Sequence, residues 1–261
     1  SVETRTDQEA VAVGATASSP AKSNKDGIKS IDVAKVRNGL EAIRANYDEI
    51  MSELPGEVSE GDYVFNRATF TNEAIESFVK AVERLNRILT VTQDGTSLEQ
   101  EVRLLHLLIA EGANIEHGGK YLQSGDAWQA ERIIKGLFHG RAQQYAKEET
   151  IDFAAQIFVE IVNLQALTDG NHRVATLVMN YILLKNGYTP FTLTRDNVVG
   201  YLSTAYPVGE DAEEVEKESF KEFLEGEVRL VSRRSTSSSP VSAIKTGTIG
   251  WSVMAVDTRV L

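Results

Sequence analysis

The chain has 261 residues, which is enough to bury one sizeable hydrophobic core without disulfides or structural metals. Its formal net charge of -11 and its scattered Lys and Arg residues argue against a nucleic-acid-binding surface. The absence of cysteine excludes thiolate metal sites and a cysteine nucleophile and fits a reducing compartment such as the cytoplasm. No apolar run is long enough to span a bilayer, so we expect no membrane association.

Composition divides the chain into three parts. Residues 1–29 are rich in Ala, Ser and Thr and carry no apolar pattern, which predicts a flexible N-terminal tail. Residues 30–230 carry helical patterns throughout and form the predicted domain. Residues 231–261 open with the Ser-rich linker VSRRSTSSSP, and the alternating residues that follow predict a short strand or hairpin.

Apolar residues recur at three- and four-residue steps along most of the domain, which predicts a mainly α fold. The first helix is expected from about Ile31 to just before Pro55, and the second begins near Asn72. Ser97 and Gln100 have the spacing of a capping box and predict the start of a third helix.

The second half of the domain continues this helical pattern. Asp126 is the predicted N-cap of the segment AWQAERIIKGLF, and Asn186-Gly187 has the composition of a helix C-cap. Four further helices are predicted, at about 148–164, 172–185, 197–204 and 213–224.

The turn Thr168-Asp169-Gly170-Asn171 joins two of these apolar helices and has the chemistry of an anion site. The first N–H groups and the positive dipole end of a helix attract anions, and Gly170 permits a positive φ. Arg173 adds a donor fork suited to phosphate, and Asp169 is an oxygen ligand suited to the Mg²⁺ of a polyphosphate. The alternative is structural: Asp169 would be only an N-cap, and Gly170-Asn171 only a helix-to-helix turn.

This segment resembles the motif of the Fic (Fido) family, H-P-F-x-D/E-G-N-G-R-x-x-R, which lies between two core helices. The aligned text is QALTDGNHRVAT at residues 165–176, and its D-G-N-x-R centre is intact. The similarity continues into LVMNYILLKNGYTPF and covers about residues 72–205. Upstream, TNEAIES is similar to the family's inhibitory element, whose glutamate, here Glu76, occupies the γ-phosphate subsite in many members.

The resemblance implies a Fic-like helical bundle that transfers AMP from ATP to a hydroxyl on a target protein. ATP and Mg²⁺ are the implied cofactors, and Asp169 would hold the Mg²⁺. The implied phosphate-binding residues are Gly170, Asn171, His172 and Arg173.

Two positions depart from the family motif. Gln165 stands where the family has its catalytic histidine, and an amide cannot accept the proton of the target hydroxyl. Loss of a general base typically slows a reaction by about a hundredfold to ten-thousandfold, so we expect weak or absent transfer. Thr176 replaces the last arginine, the usual γ-phosphate contact and the partner of the inhibitory glutamate.

The four histidines offer no obvious replacement for the missing base. His172 is the nearest in sequence, but a solvent-facing or capping role is an equal alternative. The other three show no metal-ligand spacing and are expected to have ordinary surface or packing roles: His106, His117 and His139.

Several functions remain open at this point. The chain is a Fic-like transferase with an altered catalytic group, or a pseudoenzyme that binds a nucleotide or phosphorylated ligand and acts through protein interactions. A third alternative is that Gln165 is an inactivating change in an otherwise active enzyme. A purely structural helical module would bind neither nucleotide nor anion.

Overall fold

The computed structural model describes residues 30–55, 70–90, 95–113, 118–120, 149–163, 167, 169–205 and 214–231. These residues confirm the predicted mainly α fold and contain an isolated antiparallel bridge between Tyr188 and Leu230. The described helices, in chain order, are α1 (Val33–Ala45), α2 (Tyr47–Glu53), α3 (Asn72–Leu89), α4 (Gly95–Ala113), α5 (Thr150–Asn163), α6 (Asn171–Lys185), α7 (Val198–Ala205) and α8 (Glu214–Glu227).

The prediction of one helix between Ile31 and Pro55 was wrong, because Asn46 separates α1 from α2. Asn46 has non-helical dihedral angles, φ -107° and ψ 23°, and its side chain donates a 2.8 Å hydrogen bond to the Ala42 carbonyl. Asparagine often competes in this way with the regular helical bonding pattern. The apolar periodicity continues across the break, which is why the sequence pattern did not reveal it.

The ends of three other helices can be compared with the caps predicted from the sequence. Helix α3 begins at Asn72 as predicted, and the Thr71 hydroxyl caps it by accepting from the Ala74 N–H at 3.2 Å. Helix α4 begins at Gly95, so Ser97 lies inside the first turn and the predicted capping box was wrong. At the end of α6, Asn186 is the C-cap and Gly187 has φ 85°, which confirms that prediction.

Helix α6 is the central element of the core. Its apolar side chains are buried almost continuously from Val174 to Leu184, so it is surrounded by other elements along most of its length. It packs closely against α5, and it also contacts α3 and α4. Three neighbouring helices therefore hold α6, which matters because the Asp-Gly-Asn turn leads into it.

Helix α8 closes the core beside α5, where Phe220 stacks on Phe158 with ring centroids 4.2 Å apart. None of the described helices combines the length and apolarity needed to cross a bilayer. The predicted N-terminal tail, the Asp126 cap and the C-terminal hairpin lie outside the described residues.

Candidate functional site

The turn before α6 has the backbone conformation that the sequence predicts. Gly170 lies in the left-handed region, with φ 81° and ψ 11°, and is the N-cap of α6 without a side-chain capping bond. The Asp169 carboxylate accepts from the N–H of Gly170 instead of capping the first turn of the helix. The N-cap of α6 is therefore Gly170 and not Asp169.

Asn171 locks this turn to the start of α6. Its side-chain amide donates to the Leu167 carbonyl at 3.0 Å, and its side-chain oxygen accepts from the Leu167 N–H at 3.0 Å. The residue is 5% exposed, so both bonds lie inside the protein. The side chain of Asn171 thus holds the loop, and the group of this residue that suits an anion is its backbone N–H.

Asp169 and Arg173, which the sequence assigned to Mg²⁺ and phosphate, lie side by side at the surface. Arg173 Nη2 is 3.6 Å from Asp169 Oδ2, and the side chains are 31% and 62% exposed. Exposed ion pairs of this kind contribute at most about 1 kcal/mol, so a ligand can separate them at small cost. A cation and a polyanion bound together would supply each residue with a stronger partner.

One exposed carboxylate is the donor that the described turn offers to a metal ion. Mg²⁺ in nucleotide sites is usually held by one or two carboxylates, the phosphates and water, and Asp169 supplies one exposed carboxylate. The part of the chain that the structure describes contains no group of three or more acidic or histidine side chains placed to hold a metal ion. Asp169 is therefore a candidate for a single carboxylate ligand at the turn.

His172 is half-buried, and its ring packs against the core. Its ring meets Phe158 edge to face, with centroids 5.9 Å apart. Burial lowers the pKa of His172 to about 4, with the positive charge of Arg173 adding to the effect and Asp169 opposing it. The ring is neutral at physiological pH and is a weak base, because its conjugate acid loses its proton far below neutrality.

Thr176 and Glu76, two further positions of the motif comparison, contact other residues of the protein. The Thr176 hydroxyl donates to the His172 carbonyl at 2.8 Å, and its oxygen is 3.4 Å from the Tyr201 hydroxyl. Glu76 on α3 pairs with Arg37 of α1 at 2.8 Å, and both side chains are exposed. The described partner of Glu76 is therefore on α1, and Gln165 lies outside the described residues.

His106 on α4 reaches this turn, and sequence analysis missed it. The residue is fully buried; its Nδ1 accepts from the Gly119 N–H at 3.0 Å, and its Nε2 is 3.0 Å from the Asp169 carbonyl oxygen. Burial lowers the pKa of His106, so the ring stays neutral. No local signal could have revealed this contact, because Asp169 is 63 positions further along the chain.

No family model matches the chain, and no curated protein matches it significantly. The Fic hypothesis therefore depends on the motif residues and on the geometry of the turn.

Proposed function

We propose that this chain is a Fic-like domain that binds ATP with Mg²⁺ at the turn before α6, and that it transfers AMP to a target-protein hydroxyl weakly or not at all. The carrying observation is the left-handed Gly170 at the N-terminus of α6, with Asp169 and Arg173 paired beside it at the surface. We also propose a cytoplasmic location, which suits a chain without cysteine.

Phosphate binding is supported by three aligned features of the turn. The N–H groups of a helix's first turn point out of its N-terminus, where the dipole amounts to roughly half a positive charge. Gly170 has no side chain to obstruct a ligand that approaches the backbone. Arg173, in the first turn, adds a full charge and paired donors on the exposed side.

Mg²⁺ would enter with the nucleotide. Asp169 would hold it through its exposed carboxylate, and the ion would neutralise phosphate charge during the reaction. Asp169, which could bind the metal ion, lies next to Arg173, which could bind the phosphates. A metal-bound polyphosphate needs both kinds of residue close together.

Transfer of AMP requires a proton acceptor. The target hydroxyl oxygen would form a bond to the α-phosphorus while the bond to the bridging oxygen breaks and pyrophosphate leaves; the hydroxyl proton must go to a base. Gln165 cannot take it. His172 is too weak a base, with its pKa near 4, and both ring nitrogens of His106 are already engaged. Neither of these described histidines is therefore suited to accept the proton, and we propose water as the acceptor.

This lack of a base also favours the alternative function, a pseudoenzyme that binds the nucleotide and acts through protein interactions. Neither of the two histidines that the structure describes at the turn can replace the base. Binding and transfer therefore have to be measured separately.

The deciding experiment incubates the protein and a cell lysate with ATP labelled at the α-phosphate. Wild type should label proteins weakly or not at all, and Gln165→His should label at least about a hundredfold faster because a base is restored. Gln165→His with Arg173→Ala is the control and should lose the label. If Gln165→His binds Mg·ATP but never labels, the pseudoenzyme alternative holds; if neither protein binds, the nucleotide proposal is rejected.

A further inference from the structure

The imidazole of His106 connects two separate loops to helix α4. The Gly119 N–H can only donate, so Nδ1 of His106 must accept and the ring proton must be on Nε2. Nε2 then donates to the carbonyl oxygen of Asp169 at 3.0 Å. Geometry alone therefore assigns the tautomer and the direction of both hydrogen bonds.

The Gly119 side of this connection is a firm anchor. Arg103, one turn before His106 on α4, donates from Nε to the Gly119 carbonyl at 3.0 Å. Gly119 has φ 72°, and a Cβ there would lie 3.1 Å from the Arg103 carbonyl oxygen, so the turn packs directly on α4. The peptide groups on both sides of Gly119 are thus hydrogen-bonded to α4. The His106 ring is held by a turn that is itself anchored to the same helix.

The Asp169 side of the connection controls the orientation of the site. The carbonyl that His106 holds belongs to the peptide between Asp169 and Gly170, and the N–H of that same peptide is bound by the Asp169 carboxylate. Rotation of this peptide would change the ψ of Asp169 and the φ of Gly170, and it would redirect the Gly170 N–H together with the Asp169 carboxylate bonded to it. One buried side chain on a neighbouring helix opposes that rotation.

We propose that His106 is a positioning residue for the nucleotide site, which fixes the Asp169-Gly170 peptide through Nε2 while Gly119 holds its ring. This inference rests on the proposed function for its effect on nucleotide binding. Its structural content, that the orientation of the turn depends on the Nε2 bond, can be tested without any ligand.

Two matched variants separate the two bonds of His106. The amide nitrogen of His106→Gln takes the place of Nε2 and keeps the donor to Asp169, whereas the amide oxygen of His106→Asn takes the place of Nδ1 and keeps only the Gly119 bond. Each variant loses one buried hydrogen bond, so the two should be destabilised to a similar degree. Thermal unfolding checks that both remain folded.

We expect Mg·ATP affinity to fall about tenfold in His106→Asn, the equivalent of one lost hydrogen bond, and to stay within about twofold of wild type in His106→Gln. In the free protein, amide hydrogen exchange at Gly170 and Val174, whose N–H groups are hydrogen-bonded at this turn, should accelerate in His106→Asn and not in His106→Gln. Equal affinities or equal exchange rates in the two variants would overturn the inference. If wild type binds no Mg·ATP, the proposed function fails, and the exchange comparison still decides the role of His106.

Discussion

Two asparagines of α6 make the same paired hydrogen bond at different places. Asn171 binds both backbone groups of Leu167 beside the turn, and Asn180 binds both backbone groups of Phe191 further along the helix. Both side chains are buried. The pair therefore offers a way to separate the stability of the fold from the geometry of the site.

Asn171→Ala and Asn180→Ala should each lower the free energy of unfolding by about 2 to 4 kcal/mol, because each leaves a buried N–H and C=O without a partner. Urea unfolding measures this loss. Only Asn171→Ala should also weaken Mg·ATP binding under conditions where both variants are folded. Equal loss of affinity in both would show that the binding effect comes from general destabilisation.

Sequence reasoning at this scale succeeded where the residues are contiguous. Asp169, Gly170 and Arg173 lie within five positions, so a turn followed by a helix was enough to place them together. The packing of His172, by contrast, depends on Phe158, a neighbour from the preceding helix. Such contacts leave no local pattern.

The four predicted helices that follow residue 147 match the observed α5 to α8 closely, because buried faces impose a 3.6-residue period on the sequence. The errors were at Asn46, where a single polar residue divides two helices, and at Ser97, which lies inside α4. The apolar periodicity indicates which face of a helix is buried. It does not define the residue at which the helix begins or ends.

The contact between α3 and α4 depends on a close approach at Gly112. A Cβ at this position would overlap the Glu73 carbonyl oxygen and the Ser77 hydroxyl of α3. Gly112→Ala should therefore lower the free energy of unfolding by about 1 to 3 kcal/mol, since a backbone carbonyl cannot easily move aside.

Gly226 in α8 is the matched control, because a Cβ there would meet nothing within 4 Å. Gly226→Ala should leave stability unchanged or raise it by up to about 1 kcal/mol through helix propensity. Thermal unfolding of the two variants makes the comparison. If Gly112→Ala were as stable as Gly226→Ala, the close packing of α3 on α4 would be disproved.

At the scale of the whole molecule, buried histidine makes stability depend on pH. The pKa of His172 falls from 6.5 to about 4 on folding, so between these values the unfolded chain binds a proton that the folded protein does not. The free energy of unfolding is therefore unaffected by this residue's titration above about pH 6.5. It decreases as the pH falls from 6.5 toward 4, because only the unfolded chain takes up the proton.

Urea midpoints measured from about pH 7 down to about pH 5 test this dependence. Wild type should lose more stability over this range than His172→Gln, whose side chain does not titrate. The other titrating groups are common to both proteins, so the difference between the two curves isolates His172. Parallel curves would mean that the ring is not buried as described.

The central claim concerns the turn before α6 as a phosphate site, and calorimetric titration with Mg·ATP tests it most directly. Lys221→Ala is a matched control, since Lys221 is a similarly exposed cation whose carboxylate partners include Asp152, in the first turn of α5. We predict that wild type and Lys221→Ala bind with equal affinity and that Arg173→Ala binds at least about tenfold more weakly. Absence of binding in wild type, or equal binding in Arg173→Ala, would contradict the account.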